Sequence, residues 1–227
     1  MYLSKVSFQA SQQAKQLLLG FGGKGVYSDH QILWQLFTEE EQRSFLFRQE
    51  GDEGGKTFFV LSTVEPKVDN SIFQVQSKSF MPNLKRGQRL SFKLNANPTV
   101  CVTDEQGKSK RHDVMMHAKR TAKERGVTGN EDIRVIMEQA AQEWLANAKR
   151  LETWGFTLDF LPEIQSYRQH VSHKGQKQNK QDKIQFSSVD YQGVLTVQDP
   201  ERFITQLEKG FGRAKSLGCG LMLIKPI

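Results

Sequence analysis

Apolar and polar residues alternate along several stretches of the first third of the chain, and this pattern predicts strands. The first strand is expected at 2–8. A turn with Gly51, Gly54 and Gly55 separates the next two expected strands. These later strands are predicted at 44–48, 57–63 and 72–80.

Helical spacing fills the gap between the first two strands. Residues 11–19 have a short helical pattern, and Ser28 with Gln31 has the spacing of a capping box, so a second helix is expected to begin near Ser28. A short helix near Val68 is also expected. The order is close to the ferredoxin-like βαββαβ unit. One apolar face of the second helix is formed by Ile32, Leu33, Leu36 and Phe37.

The second part of the chain repeats this order after a linker at 82–87. Asn130 is expected to cap a helix from 131 to about 153, which Gly155 ends. Asp199 and Pro200 are typical of a helix start, and that helix is expected to end at Gly210. Strands are predicted at 88–96, 156–161, 189–197 and 221–225.

The fold class is therefore predicted as α+β, with two tandem ferredoxin-like (RRM-like) βαββαβ domains. The expected boundaries are 1–84 and 85–227. Two units of the same order indicate an internal structural duplication, although their sequences do not look alike.

The chain also carries an excess of positive charge. The chain of 227 residues carries a net charge of +7, with a pI near 9.4. Such an excess fits a polyanionic partner, although charge alone also fits a merely basic protein. Residues 108–125 hold seven Lys or Arg, including Lys110 and Arg111, and 168–183 hold five. The second run is polar and is expected to form an exposed hairpin or loop. Two such runs favour an RNA or DNA contact over a solvated face.

Cysteine usage and hydropathy bear on the compartment. Cys101 and Cys219 lie far apart without metal-ligand spacing, so unpaired thiols in a reducing compartment are expected, with no metal and no cofactor. No apolar run approaches the ~20 residues that span a bilayer. The first residues lack the apolar core of a signal peptide. A cytoplasmic location without membrane contact is expected.

Two glycine-rich stretches suggest different roles. Residues 20–25 match G-x-G-x-x-G, but no strand directly precedes them, so a flexible loop is favoured over a nucleotide site. Residues 210–220 hold four glycines around two cations, which allows backbone N–H groups to approach a phosphate. The alternative is a turn without a ligand. The expected phosphate contacts are Gly212, Arg213, Lys215, Ser216 and Gly218.

His30 stands apart from the other histidines. It lies in the first turn of the expected second helix, three residues after Tyr27, and residues three apart share a helix face. Histidine exchanges protons near neutral pH, so the two side chains are candidates for acid–base chemistry. A histidine at a helix start is, on spacing alone, more often structural.

Four motifs occur in an order that resembles a known family. They are MYLSKV at the start, Tyr27-x-x-His30 followed by LWQLF, LNANPT from Leu94, and AKSLGCGLMLIKPI at the end. Together they resemble CasE, the CRISPR RNA endoribonuclease family of Cascade-type systems in the RAMP superfamily. The stretches 103–130 and 166–185 carry little of this resemblance.

The resemblance implies tandem ferredoxin-like domains and one cut per CRISPR repeat, next to a stem-loop. It implies a metal-independent reaction in which a 2′-hydroxyl attacks the adjacent phosphate, leaving a 2′,3′-cyclic phosphate and a 5′-hydroxyl. His30 then matches the catalytic histidine, as general acid or base, and Tyr27 its partner, favoured as a hydrogen-bonding group. Gln31 stands where some relatives carry arginine, so Lys215 or Arg213 are candidates for balancing transition-state charge.

Partners follow from the same resemblance. The expected partners are the repeat stem-loop and the other Cascade subunits, and the stem is expected to contact Arg168, Lys174, Lys177 and Lys180. Contacts to duplex RNA are mostly to backbone and shape. Two alternatives stay open: a non-catalytic RNA-binding RAMP subunit, and a general RNA-binding module.

Overall fold

The first sheet is built from the N-terminal part of the chain. The computed structural model describes residues 1–20, 26–51, 56–67, 71–173 and 183–227. Four antiparallel strands lie in the order β2-β3-β1-β4. Helices α1 (Gln12–Gly20) and α2 (Val26–Trp34) connect β1 to β2. The strands are β1 (Tyr2–Phe8), β2 (Phe45–Glu50), β3 (Thr57–Ser62) and β4 (Phe73–Ser79).

One face of this sheet packs against α2. Phe45 and Phe47 of β2 face Ile32 and Leu33 of the helix, in a cluster that also holds Phe58. Burying a side chain of this size contributes roughly 1.5–3 kcal/mol. The packing fixes α2 on the sheet, and with it the position of the residues that α2 presents to solvent.

The second sheet has the same strand order. Its path is β11-β5-β10-β8, and β9 also pairs with β10. In the first sheet β1 lies between β3 and β4, and in the second β5 lies in the same way between β10 and β11, which confirms two ferredoxin-like arrangements. The strands are β5 (Arg89–Ala96), β8 (Phe156–Leu158), β9 (Glu163–His173), β10 (Lys183–Val197) and β11 (Met222–Pro226).

Helices cover one face of this second sheet. Helices α3 (Val114–Glu124), α4 (Asn130–Leu145) and α5 (Ala148–Trp154) lie between β5 and β8 in the chain. Helix α6 (Pro200–Lys209) connects β10 to β11, with the Asp199 side chain accepting the Arg202 N–H at its start as predicted. No described helix is long and apolar enough to cross a membrane.

The predicted helix from 131 to 153 is wrong in two respects. The helix is interrupted near Asn147. The Asn147 side chain accepts the Arg150 N–H and caps α5 as a separate helix. Gly129, rather than Asn130, occupies the cap position of α4. Asn147 competes with helix continuation because its short amide accepts backbone hydrogen bonds. Gly155 ends α5 in the left-handed conformation, as predicted.

The start of α2 and the basic stretch 108–125 differ in detail from the expected elements. Helix α2 begins at Val26, slightly before the predicted start near Ser28. His112 and His117 lie on regular elements, because 108–125 contains strand β7 (Ser109–Asp113) and α3. Strand β7 pairs with β6 (Thr99–Thr103) in a separate two-stranded sheet. Val68 lies outside the described residues.

The two sheets meet through a small apolar cluster and an ion pair. Leu46 and Leu61 of the first sheet pack against Leu221, which leads into β11. Arg48 is only 4% exposed, and its Nη1 lies 2.9 Å from Oδ1 of Asp190 on β10. A guanidinium this buried would destabilise the fold without its carboxylate partner, so the pair helps to fix the position of the two sheets relative to each other.

Glycines bring the chain after α6 against the first sheet. We call Gly210–Gly220 the glycine-rich segment. Gly210 has φ 73° and ψ 162°, a backbone region essentially restricted to glycine. A Cβ added there would lie 2.7 Å from Leu46 Cδ1. A Cβ at Gly218 would lie 3.2 Å from Phe47 Cε2. The close approach of the segment to β2 therefore requires glycine.

Gly210→Ala should lower the free energy of unfolding by about 2–3 kcal/mol, because it adds backbone strain and a contact with Leu46. Gly107→Ala is the matched control: Gly107 also has positive φ, 78°, but an added Cβ meets nothing within 4 Å. The control should cost about 1 kcal/mol. Urea unfolding measures both, and equal losses would contradict the packing argument.

Candidate functional site

His30 is held on α2 by aromatic packing. Its ring centroid lies 5.5 Å from that of Trp34 and 5.8 Å from that of Phe45. The Nε2 atom is buried and has no hydrogen-bond partner in the part of the chain that the structure describes. Desolvation, followed by the charge of Arg43, lowers the pKa of His30 below its ordinary value of 6.5. Burial and Arg43 therefore favour the neutral form of the imidazole.

Tyr27 lies one turn before His30 on the same helix. Both side chains are partly exposed. No hydrogen bond joins the two among the described residues, so the structure places them on one helix without coupling them directly. Asp29, between them, is buried and pairs with Lys56 at 2.7 Å. Burial raises the pKa of Asp29, although Lys56 opposes the rise.

The glycine-rich segment brings Lys215 to α2. A 3₁₀ turn at Lys215–Leu217 contacts both α2 and β2. The Lys215 ammonium donates to the Lys209 carbonyl at 2.6 Å. Desolvation and then the charges of Arg43, Arg213 and Lys209 lower its pKa. Lys215 and His30 are far apart in the sequence, and the fold brings the elements that carry them into contact.

The backbone of this segment is largely committed to internal contacts. Gly220 N–H donates to the Asn95 carbonyl at 2.7 Å, and Asn95 Nδ2 donates to the Gly218 carbonyl at 3.3 Å. Ala214 adopts the left-handed conformation with φ 54°. The glycines thus have a packing role in the folded chain, whether or not they also approach a phosphate.

Arg43 is the residue that sequence reasoning missed. It precedes β2 and lies at the surface, where partial burial lowers its pKa. It forms no ion pair within the described ranges, and its charge acts on both His30 and Lys215. Nothing in the local sequence indicates this, because the preceding glutamates, 39–41, suggest a locally balanced charge.

A polar cleft of about 240 Å³ opens between the two sheets. Arg168 and His170 line it from β9, opposite Asp29 and Gly218. His170 Nε2 lies 2.8 Å from the Ser188 hydroxyl. Burial and the charge of Arg168 lower the pKa of His170. The predicted RNA contacts Arg168 and Gly218 therefore share one cleft beside α2.

The other predicted RNA contacts are more scattered. Lys110 and Arg111 are exposed on the separate β6–β7 sheet. Arg213 is exposed, and its backbone bridges to Asn97. Lys174, Lys177 and Lys180 lie outside the described residues. The remaining two belong to the glycine-rich segment, with Gly212 beside Trp144 and Ser216 within the 3₁₀ turn.

The arrangement suits acid–base chemistry on an anion. A neutral imidazole can accept a proton, and nearby cations stabilise negative charge in a site with limited water. Among the residues described, no group of three or more His, Cys, Asp or Glu side chains is placed to hold a metal ion.

Comparison with known proteins gives full-length matches. The family described as "CRISPR associated protein" matches residues 1–226. The chain is 31% identical to the Escherichia coli protein named CRISPR system Cascade subunit CasE, covering 100% of both. It is 30% identical to the Thermus thermophilus protein named CRISPR-associated endoribonuclease Cse3, again covering 100% of both.

Solved structures agree with these sequence matches. A structure of Cse3 bound to a 19-nucleotide RNA matches with a TM-score of 0.69 and 28% identity, covering 100% of each chain. Another, Thermus thermophilus Cse3 bound to an RNA representing a pre-cleavage complex, matches with a TM-score of 0.67 and 27% identity, covering 99% of this chain and 98% of that one.

The titration of His30 should show its desolvation. Since burial and Arg43 both disfavour the charged imidazole, NMR titration of the His30 ring protons should give a pKa below 6.5. His30→Gln, which lacks the ring, assigns the signal. A measured pKa at or above 6.5 in the free protein would contradict this account of the site.

Proposed function

Because this chain belongs to the family of CRISPR-associated proteins, we propose that it is a metal-independent endoribonuclease that cuts precursor CRISPR RNA within each repeat, next to the stem-loop. The observation that carries the proposal is the His30 imidazole, whose buried Nε2 has no partner among the described residues and whose pKa is lowered by burial and by the charge of Arg43. The full-length relative named as an endoribonuclease supports the same activity.

In the proposed reaction, the 2′-oxygen forms a bond to the adjacent phosphorus while the bond from phosphorus to the 5′-oxygen breaks. The 2′-hydroxyl proton goes to a base, and the leaving 5′-oxygen receives a proton. The products are a 2′,3′-cyclic phosphate and a 5′-hydroxyl. This internal attack needs no added nucleophile, so the protein contributes position, proton transfer and charge.

His30 is the proton-transfer residue of this reaction. Its lowered pKa keeps the imidazole neutral at pH 7 in the free protein, which supports the role of general base. Tyr27, one turn away, positions the 2′-hydroxyl by hydrogen bonding.

The rest of the molecule holds the RNA. Arg168 contacts the RNA backbone from the cleft, together with Lys174, Lys177 and Lys180, which follow β9 in the sequence. Lys110 and Arg111 extend the basic surface, and Arg213 and Lys215 contact phosphate from the glycine-rich segment. Such contacts set affinity and salt dependence more than sequence preference.

The domain and cellular assignments complete the proposal. Residues 1–84 form the domain that carries Tyr27 and His30, and residues 85–227 form the domain that carries the basic hairpin and the glycine-rich segment. The protein acts in the cytoplasm and stays on its product as a Cascade subunit. The name of the Escherichia coli relative supports this assembly.

His30→Ala should reduce single-turnover cleavage of the cognate repeat RNA by about 10²–10⁴-fold, because proton transfer is lost. Tyr27→Phe should lower the rate less, and Tyr2→Phe on β1 is its matched control. Cleavage by the wild-type protein should persist in EDTA and should fail on RNA with a 2′-deoxy nucleotide at the cut.

Each part of this experiment addresses a separate claim. Wild-type rates for His30→Ala would remove the catalytic assignment. Loss of cutting in EDTA would remove the metal-independent reaction, and normal cutting of the 2′-deoxy RNA would remove 2′-oxygen attack. Tight binding of the repeat without any cutting would favour a non-catalytic RNA-binding subunit.

Arg168→Gln should weaken binding of the uncleavable 2′-deoxy RNA. The slope of log K against log salt concentration should become shallower by up to ~0.7–0.9, which corresponds to the loss of about one phosphate contact. Arg86→Gln, which removes an exposed arginine without an ion pair in the described ranges, is the control for net charge. Equal effects of the two substitutions would show that Arg168 acts only through total charge.

A further inference from the structure

We propose that Arg43 is a further catalytic residue, whose guanidinium binds the scissile phosphate beside the His30 imidazole, with Lys215 as the second cation. The inference rests on the proposed endoribonuclease function. It names a residue that neither the motifs nor the family resemblance indicated.

The position of Arg43 follows from strand β2. Phe45 and Phe47 both face α2, and their ring centroids lie 5.8 and 6.4 Å from that of His30. The Ser44 carbonyl accepts the Thr63 N–H at 3.0 Å, so the extended pairing continues one residue before the strand. Alternation in an extended chain places residue 43 on the face of residues 45 and 47. Arg43 is therefore on the His30 side of the sheet.

Arg43 is one of several cations whose charges act on Lys215. The others are Arg213 and Lys209, and together with burial these charges lower the pKa of the Lys215 ammonium. Glu208 lines the same surface groove as Arg43, but no ion pair joins them in the described part of the chain. Converging cations repel one another unless an anion lies between them. A phosphate diester is the anion that an RNA substrate would bring there.

The neighbouring groups make this charge effective. The aromatic rings around His30 exclude water on one side, which strengthens the interaction between a guanidinium and a phosphate. Arginine presents a planar fork that matches two phosphate oxygens, and lysine does not. Gln31, next to His30, is uncharged and cannot supply this charge.

The test is single-turnover cleavage of the repeat RNA by Arg43→Gln, Arg43→Lys and the control Arg86→Gln, with binding of the 2′-deoxy RNA measured in parallel. Arg43→Gln should lower the cleavage rate by about 10²–10³-fold, as expected for loss of one transition-state donor, with a much smaller change in affinity. The cleavage rate of Arg43→Lys should lie between those of the wild-type protein and Arg43→Gln, because lysine restores the positive charge but not the planar guanidinium.

A pH–rate profile supplies a readout that a structural role would not change. In the described part of the chain, the charged or titratable groups on the elements packed around His30 include Tyr27 and Asp29 on α2, Arg43 before β2 and Lys215 on the 3₁₀ turn. Lys56, Arg48 on β2, and Arg168 and His170 on β9 lie farther along the same cleft or pair with Asp29. Removing Arg43 removes a repulsion, so the apparent pKa of the profile should rise in Arg43→Gln and stay unchanged in Arg86→Gln.

The outcomes separate the two proposals. If the wild-type protein cuts and His30→Ala does not, yet Arg43→Gln cuts within about twofold of Arg86→Gln, the role of Arg43 is wrong and the endoribonuclease stands. An equal loss of affinity and rate in Arg43→Gln would make Arg43 a binding residue and would also overturn the inference. If the wild-type protein cuts no RNA, the proposed function itself fails.

Discussion

The contact between the glycine-rich segment and strand β2 is the constraint on which the candidate site depends. Gly210 and Gly218 allow the segment to lie directly on Leu46 and Phe47. Phe47 also packs near the His30 ring, so one strand supports both halves of the site. Without this approach, Lys215 on the second domain and His30 on the first would have no common surface. Arg48, next to Phe47 on the same strand, pairs with Asp190 and fixes the same two sheets relative to each other.

The site is costly to hold in the absence of RNA. Desolvation disfavours the charged forms of His30, Arg43 and Lys215, and the cations repel one another. A bound phosphate would relieve that repulsion, so the same groups that destabilise the free protein would stabilise the complex. Charge placed before the substrate arrives needs little reorganisation during the reaction, which is the usual basis of electrostatic catalysis.

Local pattern was sufficient for much of the fold and for little of the site geometry. The period-two alternation identified β1 and β3, and Asp199 and Gly155 marked helix ends, because these signals are local. The break at Asn147 was missed because the apolar spacing continues across it. Arg43 was missed because its role comes from contacts across the sheet. The cleft that joins Arg168 to Gly218 depends on how two domains meet, which no local pattern records.

In the proposed complex, one phosphate of the RNA lies between His30, Arg43 before β2 and Lys215 of the glycine-rich segment. The most direct measurement is a structure of the protein bound to its repeat RNA with a 2′-deoxy nucleotide at the cut. We expect His30 Nε2 to lie at hydrogen-bond distance, ~3 Å, from an oxygen of the scissile linkage, with the Arg43 guanidinium on the phosphate. A scissile phosphate bound elsewhere, with His30 still packed and unpartnered, would contradict it.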